Sequence, residues 1–60
     1  MKQELYKKLT AEDTADLLKH LPWQVKQIAQ ELNVTEQTVY NWRRGDVKVP
    51  YPACKILGIL

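Results

Sequence analysis

Three times along this chain, apolar or small residues recur at positions i, i+3, i+4 and i+7. The quartets are Thr14, Leu17, Leu18 and Leu21, then Val25, Ile28, Ala29 and Leu32, then Ala53, Ile56, Leu57 and Leu60. That spacing gathers four side chains onto one face of an α-helix, whereas a strand, with its period of two, would scatter them. With 60 residues in all, the three faces have little to cover them except one another. By surface scaling, a chain of 7.0 kDa exposes roughly 4,000 Å² folded against roughly 10,000 Å² unfolded. That is enough burial for one small core. The pattern predicts an all-α fold, a compact bundle of four to five helices, in a single domain spanning residues 1–60.

Boundary residues divide the chain consistently with these faces. Thr10 followed by Asp13 has the form of a capping box and opens a helix at about Ala11. Pro22 is tolerated only in the first turn of a helix, so one helix ends near His20 and the next begins near Pro22 or Trp23. Asn33 ends that second helix, since Asn accepts the left-handed conformation better than most residues with a Cβ. Thr35 is an N-cap for a third helix, and Glu36 suits its positive end. Arg43 and Arg44 suit the negative end, and Gly45 stops it. Residues 46–50 form a connector, and Pro52 falls in the first turn of a last helix. Within residues 1–10, Leu5, Tyr6 and Leu9 fit a short helix or an ordered arm.

Composition removes several classes of function. The chain has one His, one Cys, no Ser and two Gly. A structural zinc site needs four ligands, usually Cys and His, so no metal site is expected. A Ser-His-Asp triad lacks its nucleophile, and Gly45 and Gly58 are too far apart for a phosphate-cradling loop. His20 is read as a solvent-facing helix end and Cys54 as a small packed side chain, rather than as a catalytic pair. No catalytic residue, cofactor or small-molecule substrate is expected. No apolar run approaches the roughly 20 residues of a membrane span, and residues 1–8 lack the apolar stretch of a signal peptide. A lone cysteine excludes a disulfide within the chain and fits a reducing, cytoplasmic setting.

The stretch 25–44, VKQIAQELNVTEQTVYNWRR, carries the functional signal. It reads as two short helices joined by a turn of about three residues. Helices crossing at about 90–120° need a small side chain at their closest approach, and Ala29 supplies it. Asn33 provides the turn, Val34 plugs the gap, and Val39 and Trp42 face inward from the second helix. These residues, with Gly45 and Pro50 after them, resemble the helix-turn-helix of the lambda repressor/Cro-like (XRE-type) family of bacterial and phage or prophage regulators. The resemblance spans about residues 11–60, with the helix-turn-helix itself at 23–44. Two positions depart from it: Asn33 stands where the turn Gly is usual, and Val25 where the family often has a phosphate-binding Gln.

The resemblance implies a sequence-specific regulator of transcription that binds double-stranded DNA, with residues 36–44 entering the major groove. Glu36, Gln37, Tyr40, Asn41 and Arg44 then face base edges. Gln37 or Asn41 suits adenine, Arg44 suits guanine, Tyr40 a thymine methyl, and Glu36 cytosine N4. Trp23, Gln24, Lys26, Thr35, Thr38, Arg43 and Lys48 are the phosphate contacts expected. The net charge is only +2, all of it within residues 23–60, so a monomer would bind feebly. A homodimer doubles the contacts, and Ile59 and Leu60 are the expected dimer patch. Two other readings stay open. One is the DNA-binding module of a phage packaging complex, similar to a terminase small subunit, or of a recombination complex. The other is a helical protein-interaction module without nucleic acid.

Overall fold

The computed structural model describes residues 2–60. Five helices follow one another: α1 (Lys2–Lys8), α2 (Ala11–Lys19), α3 (Val25–Leu32), α4 (Glu36–Arg43) and α5 (Tyr51–Leu57). The all-α, five-helix architecture agrees with the apolar periodicity. The folded chain exposes 4199 Å², close to the value that its mass predicts.

Helix starts are set largely by side chains. Thr10 Oγ1 accepts from the Asp13 N–H at 3.1 Å, and the Asp13 carboxylate accepts from the Thr10 N–H at 3.0 Å, which completes the capping box of α2. The α3 start differs from expectation. Pro22 and Trp23 lie in the preceding turn, and the helix begins at Val25 after Gln24 as N-cap. The Gln27 side chain accepts from the Gln24 N–H at 3.0 Å, so the helix can open without Pro in its first turn.

Three helices close in the same way. Asn33 (φ 55°), Gly45 (φ 79°) and Gly58 (φ 72°) are left-handed. In each case the next N–H reaches back over the last turn: Val34 to Ala29 O at 3.0 Å, Asp46 to Asn41 O at 3.2 Å, and Ile59 to Cys54 O at 3.1 Å. The last closure corrects the expected stripe of the final helix. With α5 ending at Leu57, Leu60 is not helical, and the buried set is Ala53, Cys54 and Leu57. Ile56 points outward and is 57% exposed. Ile59 and Leu60 are half-buried against the chain's own core. The stripe of α2 is also rotated: Thr14, Ala15 and Leu18 are buried, while Leu17 and Leu21 are only half-buried.

Helix α4 packs against both α2 and α3, and α5 packs against α3. Leu18, Ile28, Val39, Trp42 and Leu57 share one core. The connector after α4 is pinned into that core at Val49, which has no exposed surface. The Val49 N–H donates to Thr14 Oγ1 at 3.3 Å, and the Thr14 hydroxyl donates to Ala11 O at 2.9 Å. The Val49 carbonyl accepts from the Tyr6 hydroxyl at 2.6 Å and lies 3.8 Å from the Cys54 thiol, which donates to it. Tyr6 thereby docks α1, and its ring packs at 5.3 Å from that of Tyr51. Residues 1–10 thus contain a docked short helix, the first of the two forms read from the sequence. Among the described residues, no helix is long and apolar enough to cross a membrane.

Two outcomes are expected. Thr14→Val keeps the side-chain shape but leaves the buried Val49 N–H without an acceptor. It should cost about 1–3 kcal/mol in chemical denaturation, with faster hydrogen exchange at the Val49 amide. The second concerns alkaline pH. Burial raises the Cys54 thiol pKa, against partial lowering by Lys48 and a backbone hydrogen bond. Burial, and then Cys54, raise that of Tyr6. The folded state therefore holds these protons more tightly than the unfolded chain does. Their stabilisation is fully present below the unfolded values, about 8.5 for a thiol and about 10 for a phenol, and is lost as pH rises through the folded ones. The denaturation midpoint should hold between pH 7 and about 8.5 and fall above that, and Tyr6→Phe should flatten the upper part of the fall.

Candidate nucleic-acid interface

Helix α4 is short, and its position depends on its ends and on two side chains. Thr35, extended at φ −77° and ψ 156°, caps it: Oγ1 accepts from the Thr38 N–H at 3.2 Å and is 2.9 Å from the Thr38 hydroxyl. Glu36 stands in the first turn and Arg43 in the last, each at the end of the dipole that favours its charge. Val39, fully buried, and Trp42, 4% exposed, seat the helix against α2 and α3. Trp42 is a core residue, as the spacing predicts.

Seating Val39 and Trp42 inward turns Gln37, Tyr40, Asn41 and Arg44 outward, in the i, i+3, i+4, i+7 relation. Gln37 and Arg44 are exposed, Tyr40 is 48% exposed, and Asn41 is half-buried. The polar groups are joined. Gln37 Nε2 donates to Asn41 Oδ1 at 3.0 Å, and Arg44 Nη2 donates to the same oxygen at 2.6 Å. Arg44 Nε donates to Asp46 Oδ2 at 3.0 Å. From its place in the chain, Asp46 is part of the 46–50 connector and nothing more. The only signal in the sequence is an acidic residue two positions after an arginine, across a glycine.

The expected backbone contacts divide into two groups. Gln24 and Lys26 are exposed at the start of α3, where the first-turn N–H groups have no carbonyl of their own helix within reach. Thr35 is exposed, while Thr38 and Arg43 are half-buried around α4. Glu36 is exposed at the α4 start. Trp23 and Lys48 are engaged inside the fold. Trp23 packs on the core and lines a hollow with Gln27, Gln30 and Glu31. The Lys48 ammonium donates to Tyr6 O at 2.9 Å and sits 4.0 Å from the centre of the Tyr6 ring. His20 is exposed at the end of α2, with Nδ1 2.7 Å from Asp16 O, and Cys54 is buried.

The arrangement is a polar helix face carrying amide and guanidinium donors, together with two helix N-termini that are capped by Thr35 and by Gln24 with Gln27, and whose remaining first-turn N–H groups have no carbonyl of their own helix to bond. It can pair with base edges and with phosphate oxygens. A family model described as a homeodomain-like domain matches residues 15–45, which take in most of α2, all of α3 and α4, and the closing Gly45. No curated protein and no solved structure gives a match.

Thr35 is the cap on which the start of the polar helix depends. Thr35→Ala should cost about 1 kcal/mol and lower Tm by roughly 4–8 °C, with faster amide exchange at Thr38 than in the unaltered chain.

Proposed function

The chain belongs to the homeodomain-like domain family of helix-turn-helix proteins, and from that premise we propose that it binds double-stranded DNA sequence-specifically as a small transcriptional regulator of the repressor/Cro-like kind. The observation that carries this reading is the outer face of α4. Four side chains suited to base edges stand outward at one-turn spacing, on a helix anchored by a buried Val and Trp. In this reading α4 enters the major groove with its N-terminal end leading. Glu36, Gln37, Tyr40, Asn41 and Arg44 face the bases. Gln24, Lys26, Thr35, Thr38 and Arg43 hold the phosphates. We assign Trp23 and Lys48 to packing, because the fold already engages both.

The family match covers the three-helix core alone. The repressor-like form of the proposal draws its support from α5, which packs on α3 and extends the domain past the Pro50 exit. Occupancy of an operator is sufficient as a mechanism and needs no cofactor or catalysis. A homodimer reading two half-sites about 34 Å apart would offset the low net charge. With Ile59 and Leu60 half-buried, the exposed Ile56 is the apolar residue on which such a patch would be built. A cytoplasmic setting, in a bacterium or a phage-infected host, belongs to the same proposal. The low charge also favours a second reading, a DNA-binding module held in place by a larger packaging or recombination complex. Sequence preference by the isolated chain separates the two.

An NMR titration with a mixed-sequence duplex, at low and then moderate salt, tests the proposal. Amide shifts should cluster on residues 35–44 and the start of α3 and fade with salt. Lys26→Ala and Arg43→Ala should each weaken binding across all sequences and reduce the salt slope by about 1. Shifts that are absent, or confined to residues 53–60, would replace the DNA reading with the protein-interaction one.

A further inference from the structure

The hydrogen-bond chain on α4 has a direction, and one residue outside the helix sets it. A guanidinium can only donate, so the Asn41 atom facing Arg44 Nη2 at 2.6 Å is the amide oxygen. The Gln37 atom sharing that oxygen at 3.0 Å is then its amide nitrogen. Both amide orientations therefore follow from Arg44. Arg44 is in turn held through Nε by the Asp46 carboxylate at 3.0 Å. Nε and Nη2 lie along one edge of the guanidinium, and this edge is taken up by Asp46 and Asn41.

What remains available decides what the face can read. Both lone pairs of Asn41 Oδ1 are occupied, so this amide offers only its N–H groups. Arg44 offers the fork of N–H groups at the end of its guanidinium. Pairing Asn41 with adenine in the bidentate manner would require Oδ1 to accept from the adenine N6 amine, and no lone pair is left for it. Guanine presents two acceptors, N7 and O6, and matches a surface that only donates.

We infer that Asp46 is a specificity-determining positioning residue: by holding Arg44 it makes the Asn41–Arg44 pair on the outer face of α4 a donor-only surface that selects guanine over adenine. This rests on the DNA-binding proposal above. Asp46 acts through Arg44 and contributes little to the fold. The ion pair is more than half exposed on both sides, and such pairs stabilise weakly. The turn is kept by a backbone bond, Asp46 N–H to Asn41 O at 3.2 Å, which any side chain preserves.

The test uses the full chain and a duplex pool with a randomised centre, followed by two duplexes differing by one G·C to A·T exchange at the enriched position. The unaltered chain should enrich a guanine whose selection disappears in Arg44→Ala, and prefer the G·C duplex by roughly tenfold. Asp46→Ala should keep its thermal midpoint and bind mixed-sequence DNA at low salt as well or better, one negative charge having been removed near the phosphates. It should lose the guanine preference. Asp46→Asn keeps an acceptor for Arg44 and should restore most of that preference. In an Arg44→Ala background, Asp46→Ala should cause no further change in base preference. The inference is overturned if Asp46→Ala selects the same sequence with the same discrimination, if adenine is selected at the Arg44-dependent position, or if binding shows no base preference. In the first two cases the DNA-binding proposal stands; with no base preference, DNA binding stands but its sequence-specific regulator form falls as well. No binding to any duplex at low salt would remove the DNA-binding proposal and this inference with it.

Discussion

The buried peptide groups of Val49 tie together helices that lie far apart along the chain. Its N–H is held by Thr14 of α2, and its carbonyl receives the Tyr6 hydroxyl of α1 and the Cys54 thiol of α5. Its side chain is fully buried in the core. A connector backbone drawn into an apolar interior must find partners for both its polar groups, or the burial costs more than the side chain contributes. Here each partner comes from a different helix. Satisfying one residue thus fixes where α1, α2 and α5 sit around the end of α4. Lys48 adds to the same arrangement, with its ammonium on the last turn of α1 and over the Tyr6 ring.

With the connector held, α4 has little freedom to roll. Val39 and Trp42 fill the space between α2 and α3, and Gly45 lets the chain leave the helix at a positive φ that side chains with a Cβ resist. A Cβ at Gly45 would meet Glu12 and Ala15 only at ordinary contact distance, 3.6 Å or more, so the need for glycine there is conformational rather than steric. The outer face of α4 is therefore presented as a fixed surface, and its hydrogen bonds are made before any ligand arrives. Pre-formed donors lose less freedom on binding than mobile ones do. A small protein with a net charge of +2 has little general attraction for phosphates, and this economy favours it.

Much of this was legible from the chain. The α2 capping box, the left-handed Asn33, the Thr35 cap, the Gly45 stop, and the inward Val39 and Trp42 are local or near-local features, each carried by one or two residues with a strong conformational preference. The homeodomain-like match covers all of these except the α2 capping box. The errors fell where the signal was weak in kind. In a helix of seven residues, four apolar positions do not determine a phase. The spacing puts Ala53, Ile56, Leu57 and Leu60 on the α5 face; Ala53 and Leu57 are buried there, but Cys54 belongs to it in place of Ile56, and Gly58 ends the helix before Leu60. Proline often opens helices, which points to a start of α3 near Pro22 or Trp23, but a Gln27 side chain on the Gln24 N–H opens the helix after Gln24 instead.

Periodicity, caps and breakers determined by themselves the all-helical class, the four helices after residue 10, and which residues of α3 and α4 face inward. These depend on backbone preferences and on the spacing of apolar groups, which act over a few residues. Only the tertiary structure decided that Tyr6 and Lys48 serve the docking of α1, that Thr14 is the acceptor for a residue 35 positions away, and that Asp46 orients Arg44. Those pairings require two segments to arrive at the same point with matching donors and acceptors. Hydrogen bonds are short and directional, so the spacing of residues along the chain leaves them undetermined until the helices have packed.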